Sequence, residues 1–318
     1  MPSKITVPEI RARKATRGQG EKLAMVTAYD VTFARMVDAA GVDAILVGDS
    51  LGMVIQGGTS TLPVTVDEIC YHGRAVIRGT QRAHVIGDMP FMSYQASMEQ
   101  ALLNAGKMMK DGGFESVKLE GGKEIAEVIH RLVRMGIPVM AHVGLMPQRM
   151  HTMGGFKVQG RNAMDAESVL EDAIAVADAG AYAVVVEGVP APLADRITHA
   201  IDVPTIGIGA GVGCDGQILV SYDLLGLNDT LKPRFVKRYE QFFRRGVDAV
   251  KLYVEEVRDG AFPDVEHSFG LKNDGRPAKV SARFPTLEAM TLGEPQDVTD
   301  VPESHPAMDL ARAYGPTQ

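Results

Sequence analysis

The sequence predicts a (β/α)8 barrel with an arm ahead of it and an extension behind it. Three observations carry that expectation. Short runs rich in Val and Ile recur along the chain, and they are continuously apolar rather than alternating, as strands buried on both faces of a parallel sheet are. Longer segments between them place apolar residues three and four apart, the spacing of a helix packed on a sheet. There are eight such runs, and eight strands alternating with helices fit a closed barrel. A doubly wound open sheet is the alternative, because the last run is short.

Taken in order, the chain begins with six basic residues in its first 22: Lys4, Arg11, Arg13, Lys14, Arg17 and Lys22. Glu9 and Glu21 interrupt them and no apolar segment follows, so this reads as a solvated arm rather than a targeting peptide. Strands are expected at Leu23–Ala28, Ala44–Gly48, His84–Gly87, Ser116–Leu119, Pro138–Ala141, Ala183–Val186, Pro204–Ile208 and Ile218–Val220. Helices are expected at Val31–Ala40, Thr65–Arg78, Ser97–Lys110, Lys123–Arg134, Asp165–Ala179 and Pro192–Ala200. A motif repeats within this rhythm. A glycine able to stop a helix precedes an apolar run that an acid closes, as in Gly41 to Asp49, Gly113 to Glu120 and Gly180 to Glu187. From residue 270 the periodicity stops, and scattered Pro, Gly, Asp and Glu predict a mostly disordered tail with a short helix near Ala307–Tyr314. The expected division is therefore a catalytic barrel over 1–269 and a tail over 270–318.

A length of 318 residues suggests two domains at ~150 each, but an α/β barrel fills roughly 250 residues as one. With 45% hydrophobic and 23% charged residues, the chain has ordinary globular values, which excludes wholesale disorder. A net charge of −7 and no basic face exclude a nucleic-acid partner. No stretch approaches ~18 consecutive apolar residues, so no membrane helix is expected. The two cysteines, Cys70 and Cys214, form neither a disulfide framework nor a zinc motif. The expectation is a soluble, cytoplasmic protein acting on small molecules.

In a barrel the carboxyl ends of the strands converge on the active face. There the sequence puts Asp49 and Ser50, Asp88, Lys118 and Glu120, His142, and Glu187. Each has an ordinary explanation by itself: an acid after a strand is commonly a helix cap, and a lone histidine is commonly structural. Lys118 is harder to dismiss, since it shares its strand face with Glu120 and points to the barrel axis. Four carboxylates on neighbouring strands repel unless their pKa values rise or a cation joins them. An oxygen-rich set suits Mg²⁺, which takes one or two carboxylates plus substrate oxygens. Of the glycine-rich loops, Gly207 to Gly213 lacks dinucleotide spacing; it reads as a phosphate pocket or as backbone approaching a substrate. The His151–Arg161 loop, with Lys157 and Arg161, reads as a lid or anion-contacting loop, or else as packing.

The strings now become specific. Thr27-Ala-Tyr-Asp30, Leu46-Val-Gly-Asp-Ser-Leu-Gly52, Thr61-Leu-Pro-Val-Thr65, Lys118-Leu-Glu-Gly-Gly122 and Ala141-His-Val-Gly-Leu-Met-Pro-Gln148 occur in that order. Gly155-Phe-Lys-Val-Gln-Gly-Arg161, Ile206-Gly-Ile-Gly-Ala-Gly211, Asp215-Gly-Gln-Ile-Leu-Val220 and Glu266-His-Ser-Phe269 follow. Any one is weak, but the ordered set resembles the ketopantoate hydroxymethyltransferase family over about residues 5–269. The resemblance implies a Mg²⁺-dependent barrel enzyme of pantothenate synthesis. It would transfer a hydroxymethyl unit from 5,10-methylenetetrahydrofolate to 3-methyl-2-oxobutanoate, through an enolate that the metal and Lys118 stabilise. By the family pattern Asp49 and Asp88 hold the metal and Glu120 completes its shell, directly or through water. Asp49, Ser50, Asp88, Lys118 and His142 are the expected substrate contacts, and Glu187 is the general base. Homo-oligomers, decamers in bacterial members, are also implied. Two departures stand out: Gly188 follows the expected base where the family usually has a larger residue, and the tail has no family counterpart. Other readings are a Mg²⁺-dependent lyase or mutase of the phosphoenolpyruvate mutase and isocitrate lyase kind, or a non-catalytic barrel scaffold. The former should carry a reactive cysteine loop, and neither Cys70 nor Cys214 sits in one.

Overall fold

In the computed structural model, which describes residues 3–14, 21–229 and 233–268, eight parallel strands close into a barrel in sequence order. They are β1 (Leu23–Thr27), β2 (Ala44–Val47), β3 (His84–Asp88), β4 (Ser116–Glu120), β5 (Val139–Gly144), β6 (Ala183–Glu187), β7 (Thr205–Ile208) and β8 (Gly216–Leu219). The short last strand pairs on both sides, Ile206 with Gly216 and Met25 with Ile218, so the open-sheet alternative does not hold. Alternation explains why these strands are apolar throughout. Ile45, Val47, Val85, Val117 and Leu119 face the helix layer, whereas Ala44, Leu46, Ile86, Met140 and Val185 fill the barrel interior.

The helices are α1 (Val7–Ala12), α2 (Val31–Ala39), α3 (Leu51–Val54), α4 (Val66–Gly79), α5 (Met98–Lys107), α6 (Ala126–Arg134), α7 (Met150–Met153), α8 (Ala163–Asp178), α9 (Ala191–Ala200), α10 (Ser221–Leu224) and α11 (Phe242–Arg258). Their starts follow capping chemistry. Asp30 accepts from the amides of Thr32 and Phe33, both at 2.8 Å. Thr65 and Glu68 form a reciprocal capping box on α4, and Ser97 and Asn162 cap α5 and α8. Two expected helices are interrupted. The one over Ser97–Lys110 turns into a π-helical turn at Met108–Gly112, and the one over Lys123–Arg134 opens with a 3-10 turn at Lys123–Ile125.

The expectation of a solvated arm is corrected for the described part. Helix α1 lies across the amino-terminal mouth of the barrel, with Ile10 only 1% exposed and packed among interior residues that include Leu23, Met25 and Tyr182. Lys14 Nζ donates to Asp215 Oδ2 at 2.9 Å and to the Thr198 carbonyl, and Arg13 reaches Asp43 at 3.4 Å. These acids lie far along the chain, so the basic run looked solvated only for want of visible partners. Helix α11 is an addition to the expected elements; it buries none of its residues against the barrel. Among the described residues no helix is long and apolar enough to cross a membrane. The tail over 270–318 and its helix near Ala307–Tyr314 lie outside the described residues.

Candidate active site

The carboxyl ends of the strands open into a cavity of about 600 Å³, and all seven strand-end residues line it: Asp49, Ser50, Asp88, Lys118, Glu120, His142 and Glu187. Strand register explains how they meet. Asp88 of β3 pairs with Lys118 of β4, and Glu120 of β4 pairs with His142 of β5. Lys118 and Glu120, two residues apart, share the inward face. The Lys118 ammonium donates to Asp88 Oδ1 at 2.8 Å and to Glu120 Oε1 at 3.2 Å. His142 stands between two acids, Nδ1 3.5 Å from Glu120 Oε1 and Nε2 3.3 Å from Glu187 Oε2. Both contacts are misaligned for hydrogen bonding, so the pairing is electrostatic. A row of alternating charge thus runs Asp88, Lys118, Glu120, His142, Glu187 across four consecutive strands. On the other flank the Asp49 amide donates to Asp88 Oδ2 at 3.1 Å, and Ser50 Oγ lies 2.8 Å from the hydroxyl of buried Tyr29.

Burial in this row forces the charges to settle against one another. Burial drives the Asp49 carboxyl far up, and the nearby Asp88 and Glu120 carboxylates add to the shift. Asp88 is raised by burial, which outweighs its Lys118 partner. Burial opposes the charge on Lys118, yet the three surrounding carboxylates hold it protonated. Burial likewise opposes ionisation of Glu120, but Lys118 and His142 win and its pKa falls to about 2. For His142, burial and the Lys118 charge press downward while Glu120 and Glu187 outweigh them, and its pKa rises to about 9. Glu187 differs from the rest: its side chain remains 14% exposed, against 2% for Glu120.

The donor chemistry fits Mg²⁺ without forming a closed cage. Among the described residues no three His, Cys, Asp or Glu side chains are gathered as a ready-made metal site. Asp49 and Asp88 are carboxylates that could hold such an ion, which would fill its other positions with water and substrate oxygens. Glu120 lines the same cavity, its oxygens taken by Lys118 and by the Gln148 amide. The excess of buried carboxylate over cation, expressed most strongly at Asp49, is what a divalent ion would relieve.

Sequence reasoning gave no role to Tyr29, Tyr94 or Gln148, all buried beside the row. The loop over 151–161 contributes Phe156 to the cavity, while Lys157 and Arg161 are exposed and off its wall, against the anion-contact reading. The glycines after β7 serve the protein's own packing: a Cβ on Gly211 would stand 2.5 Å from that of Ala191, and one on Gly209 3.2 Å from the Phe235 ring. Gly188 is not a pocket-wall residue either. It adopts φ +56, donates its amide to the Ile208 carbonyl and faces Leu145. Cys70 and Cys214 are buried, and burial raises both thiols, the opposite of a reactive cysteine.

A closed barrel carrying a buried lysine and four carboxylates at its carboxyl-end mouth is the apparatus of a (β/α)8 enzyme that works on a small anionic substrate by acid–base chemistry. A family model described as ketopantoate hydroxymethyltransferase matches residues 4–265, and the chain belongs to that family. It is 54% identical over 269 residues to the 3-methyl-2-oxobutanoate hydroxymethyltransferase of Syntrophotalea carbinolica, covering 85% of this chain and 100% of that protein. With the enzyme of the same name from Trichlorobacter lovleyi it shares 55% identity at the same coverage. Among solved structures, phosphoenolpyruvate phosphomutase from Streptomyces platensis subsp. rosaceus superposes with a TM-score of 0.53 at 15% identity, over 80% of this chain and 88% of that one. A phosphonopyruvate hydrolase solved with oxalate and Mg²⁺ gives 0.51 at 14% identity, over 82% and 93%. These last two likenesses are of fold. Family membership sets aside both the mutase-and-lyase reading and the silent scaffold.

Proposed function

We propose that the protein transfers a hydroxymethyl group from 5,10-methylenetetrahydrofolate to 3-methyl-2-oxobutanoate, forming 2-dehydropantoate for pantothenate synthesis. The observation that carries this reading is the charged row from Asp88 to Glu187, in a chain that matches the family over nearly all of its barrel. Asp49 and Asp88 would hold Mg²⁺, with Glu120 completing its shell, and the ion would supply Lewis acidity at the 2-oxo group. Ser50, Asp49, Asp88, Lys118 and His142 bind and orient the 2-oxo acid. Glu187, the most exposed acid of the row and no candidate ligand, removes the proton from C3. Lys118 stays protonated and stabilises negative charge as it develops on the keto oxygen. C3 then bonds to the methylene carbon carried by the folate, water supplies the hydroxyl oxygen, and tetrahydrofolate departs. His142, between Glu120 and Glu187, keeps the base oriented.

A cavity of about 600 Å³ belongs to the ~300–1,000 Å³ class that takes drug-sized ligands, so a small 2-oxo acid leaves room for the folate. Its outer wall of Met53, Val54, Phe156, Leu227 and Phe235 suits a flat, partly apolar co-substrate. Homo-oligomer formation, decameric as the family resemblance implies, and a cytoplasmic setting belong to the same proposal. Helix α11 supports association: it exposes Phe243, Val250, Tyr253 and Val257, and a helix without tertiary burial has little to hold it in a single chain.

The test is proton exchange at C3 of 3-methyl-2-oxobutanoate in deuterated water, followed by NMR with Mg²⁺ present. Wild-type protein should exchange the proton, and Glu187→Gln should bind substrate and metal yet lose exchange. Undiminished exchange in the variant removes Glu187 from the base role. Asp88→Ala should abolish the stimulation of 2-dehydropantoate formation by Mg²⁺; an unaltered metal requirement counts against Asp88 as ligand.

A further inference from the structure

Gln148 lies in a 3-10 turn just after β5, over Pro147–Arg149, and is 4% exposed. Its neighbours dictate how the carboxamide points. On one side stand Asp49 Oδ2 at 3.0 Å and the Met89 carbonyl at 2.9 Å. A carbonyl cannot donate, so this end must be the NH₂, and both of its protons are used. On the other side the carboxamide oxygen accepts from Gln95 Nε2 at 3.3 Å and lies 2.9 Å from the Tyr94 hydroxyl, whose single proton it shares with the Glu120 carbonyl. The backbone amide of the same residue donates to Glu120 Oε2 at 3.0 Å. Tyr94 in turn brackets the peptide of Glu120, with its hydroxyl 2.8 Å from the carbonyl oxygen and 3.0 Å from the amide nitrogen.

One uncharged residue therefore grips carboxylates from two different strand ends, and a buried tyrosine holds that residue in place. The grip is one-sided. Gln148 ties Asp49 Oδ2, and among the described residues nothing hydrogen-bonds Asp49 Oδ1, which leaves that oxygen to face the cavity. Glu120 has both oxygens engaged, Oε2 by the Gln148 amide and Oε1 by Lys118, so the same residue fixes the direction of a second carboxylate on the cavity wall. The geometry points to Gln148, braced by Tyr94, as a positioning residue that presents one oxygen of Asp49 to a divalent cation and holds Glu120 fixed beside it. This rests on the reading of Asp49 and Asp88 as the ligands. It adds to that reading that the affinity of the site depends on two residues that touch neither cation nor substrate, because an outer partner fixes the direction of the inner ligand.

Mn²⁺ is the probe, with the loss of its free aqueous EPR signal measured on the full-length chain. Gln148→Leu should weaken Mn²⁺ binding by roughly 10- to 100-fold, the usual cost of losing an outer-shell partner. Tyr94→Phe, which keeps the ring and loses only the hydroxyl, should weaken it several-fold. At saturating Mn²⁺ both variants should recover most of kcat while KM for the 2-oxo acid stays raised. A brace that served the loop alone would lower the melting temperature and leave the Mn²⁺ affinity of the folded protein unmoved. Unchanged affinity in Tyr94→Phe, which fills the same space and should fold, overturns the proposal. Asp49→Asn separates the two levels. Binding that survives Asp49→Asn sinks the ligand assignment itself, whereas binding lost there but intact in Gln148→Leu and Tyr94→Phe sinks only the positioning role.

Discussion

Lys118 shows how tightly the site is bound to the stability of the barrel. Its ammonium is the nearest cation to Asp88 and Glu120, at 2.8 and 3.2 Å, and all three side chains are at most 5% exposed. Removing one partner of a buried ion pair strands the rest, at a cost of about 3–5 kcal/mol. Lys118→Met should therefore lose activity and unfold at a clearly lower urea concentration, with Mg²⁺ restoring part of the difference; an unshifted midpoint would contradict this charge balance. The residues of this row were legible in the sequence because an acid, a lysine or a histidine at a strand end is conspicuous by charge alone. Gln148 and Tyr94 were not. They are neutral, and their importance lies in which atom faces which, which no spacing reveals. Gly188 was legible only as an oddity, and its left-handed backbone gives the reason: a side chain there would be strained as well as crowded against Leu145.

At the scale of elements, local chemistry did most of the work where it was strong. The Thr65–Glu68 capping box fixes the start of α4 within a residue of the expected position. Thr65→Ala should cost roughly 1 kcal/mol, visible as a drop of a few degrees in melting temperature; no drop would mean that packing alone sets that end. The π turn at Met108–Gly112 leaves no signal in the sequence because it departs from the 3.6-residue period only locally, under tertiary packing. Helix α11 is obscured for a different reason. Phe243, Val247, Val250, Val254 and Val257 do repeat at spacings of three and four, and a (β/α)8 barrel asks for a helix after its eighth strand, but a long connection separates this one from β8 and it buries none of its residues. If that stripe meets a second copy, Val250→Asp should reduce the assembly seen by light scattering; an unaltered mass would place the contact elsewhere.

The molecule as a whole is closed at its amino-terminal mouth by a second buried polar group, His84. Its Nε2 lies 2.9 Å from Ser116 Oγ and its Nδ1 3.3 Å from the Ile5 carbonyl. Burial lowers its pKa, and Glu115 at 3.7 Å opposes this only in part. The unfolded chain titrates His84 near its ordinary value of about 6.5, the folded chain below it. Between the two the unfolded state binds the extra proton, so this contribution is complete above pH ~6.5 and is lost as pH falls through that window. Urea midpoints at pH 7.5 and 5.5 should fall further for wild type than for His84→Gln; equal falls would clear His84 of the effect. The barrel was readable from sequence because parallel strands and helices each leave a local period. The docking of the arm was not, because its partners are remote.

That remoteness has a consequence for how the protein is made. Lys14 and Asp215 are 201 positions apart, and the mouth also needs Ile5 to meet His84, 79 positions on. Ile5 and Lys14 are thus synthesised well before the partners they need, as is β1, whose outer edge waits for β8. Contacts this distant in sequence slow folding and lengthen the time that apolar groups such as Ile10 and unpaired strand edges stay uncovered. A nascent chain stopped short of Asp215 would carry an undocked arm and an open sheet edge together.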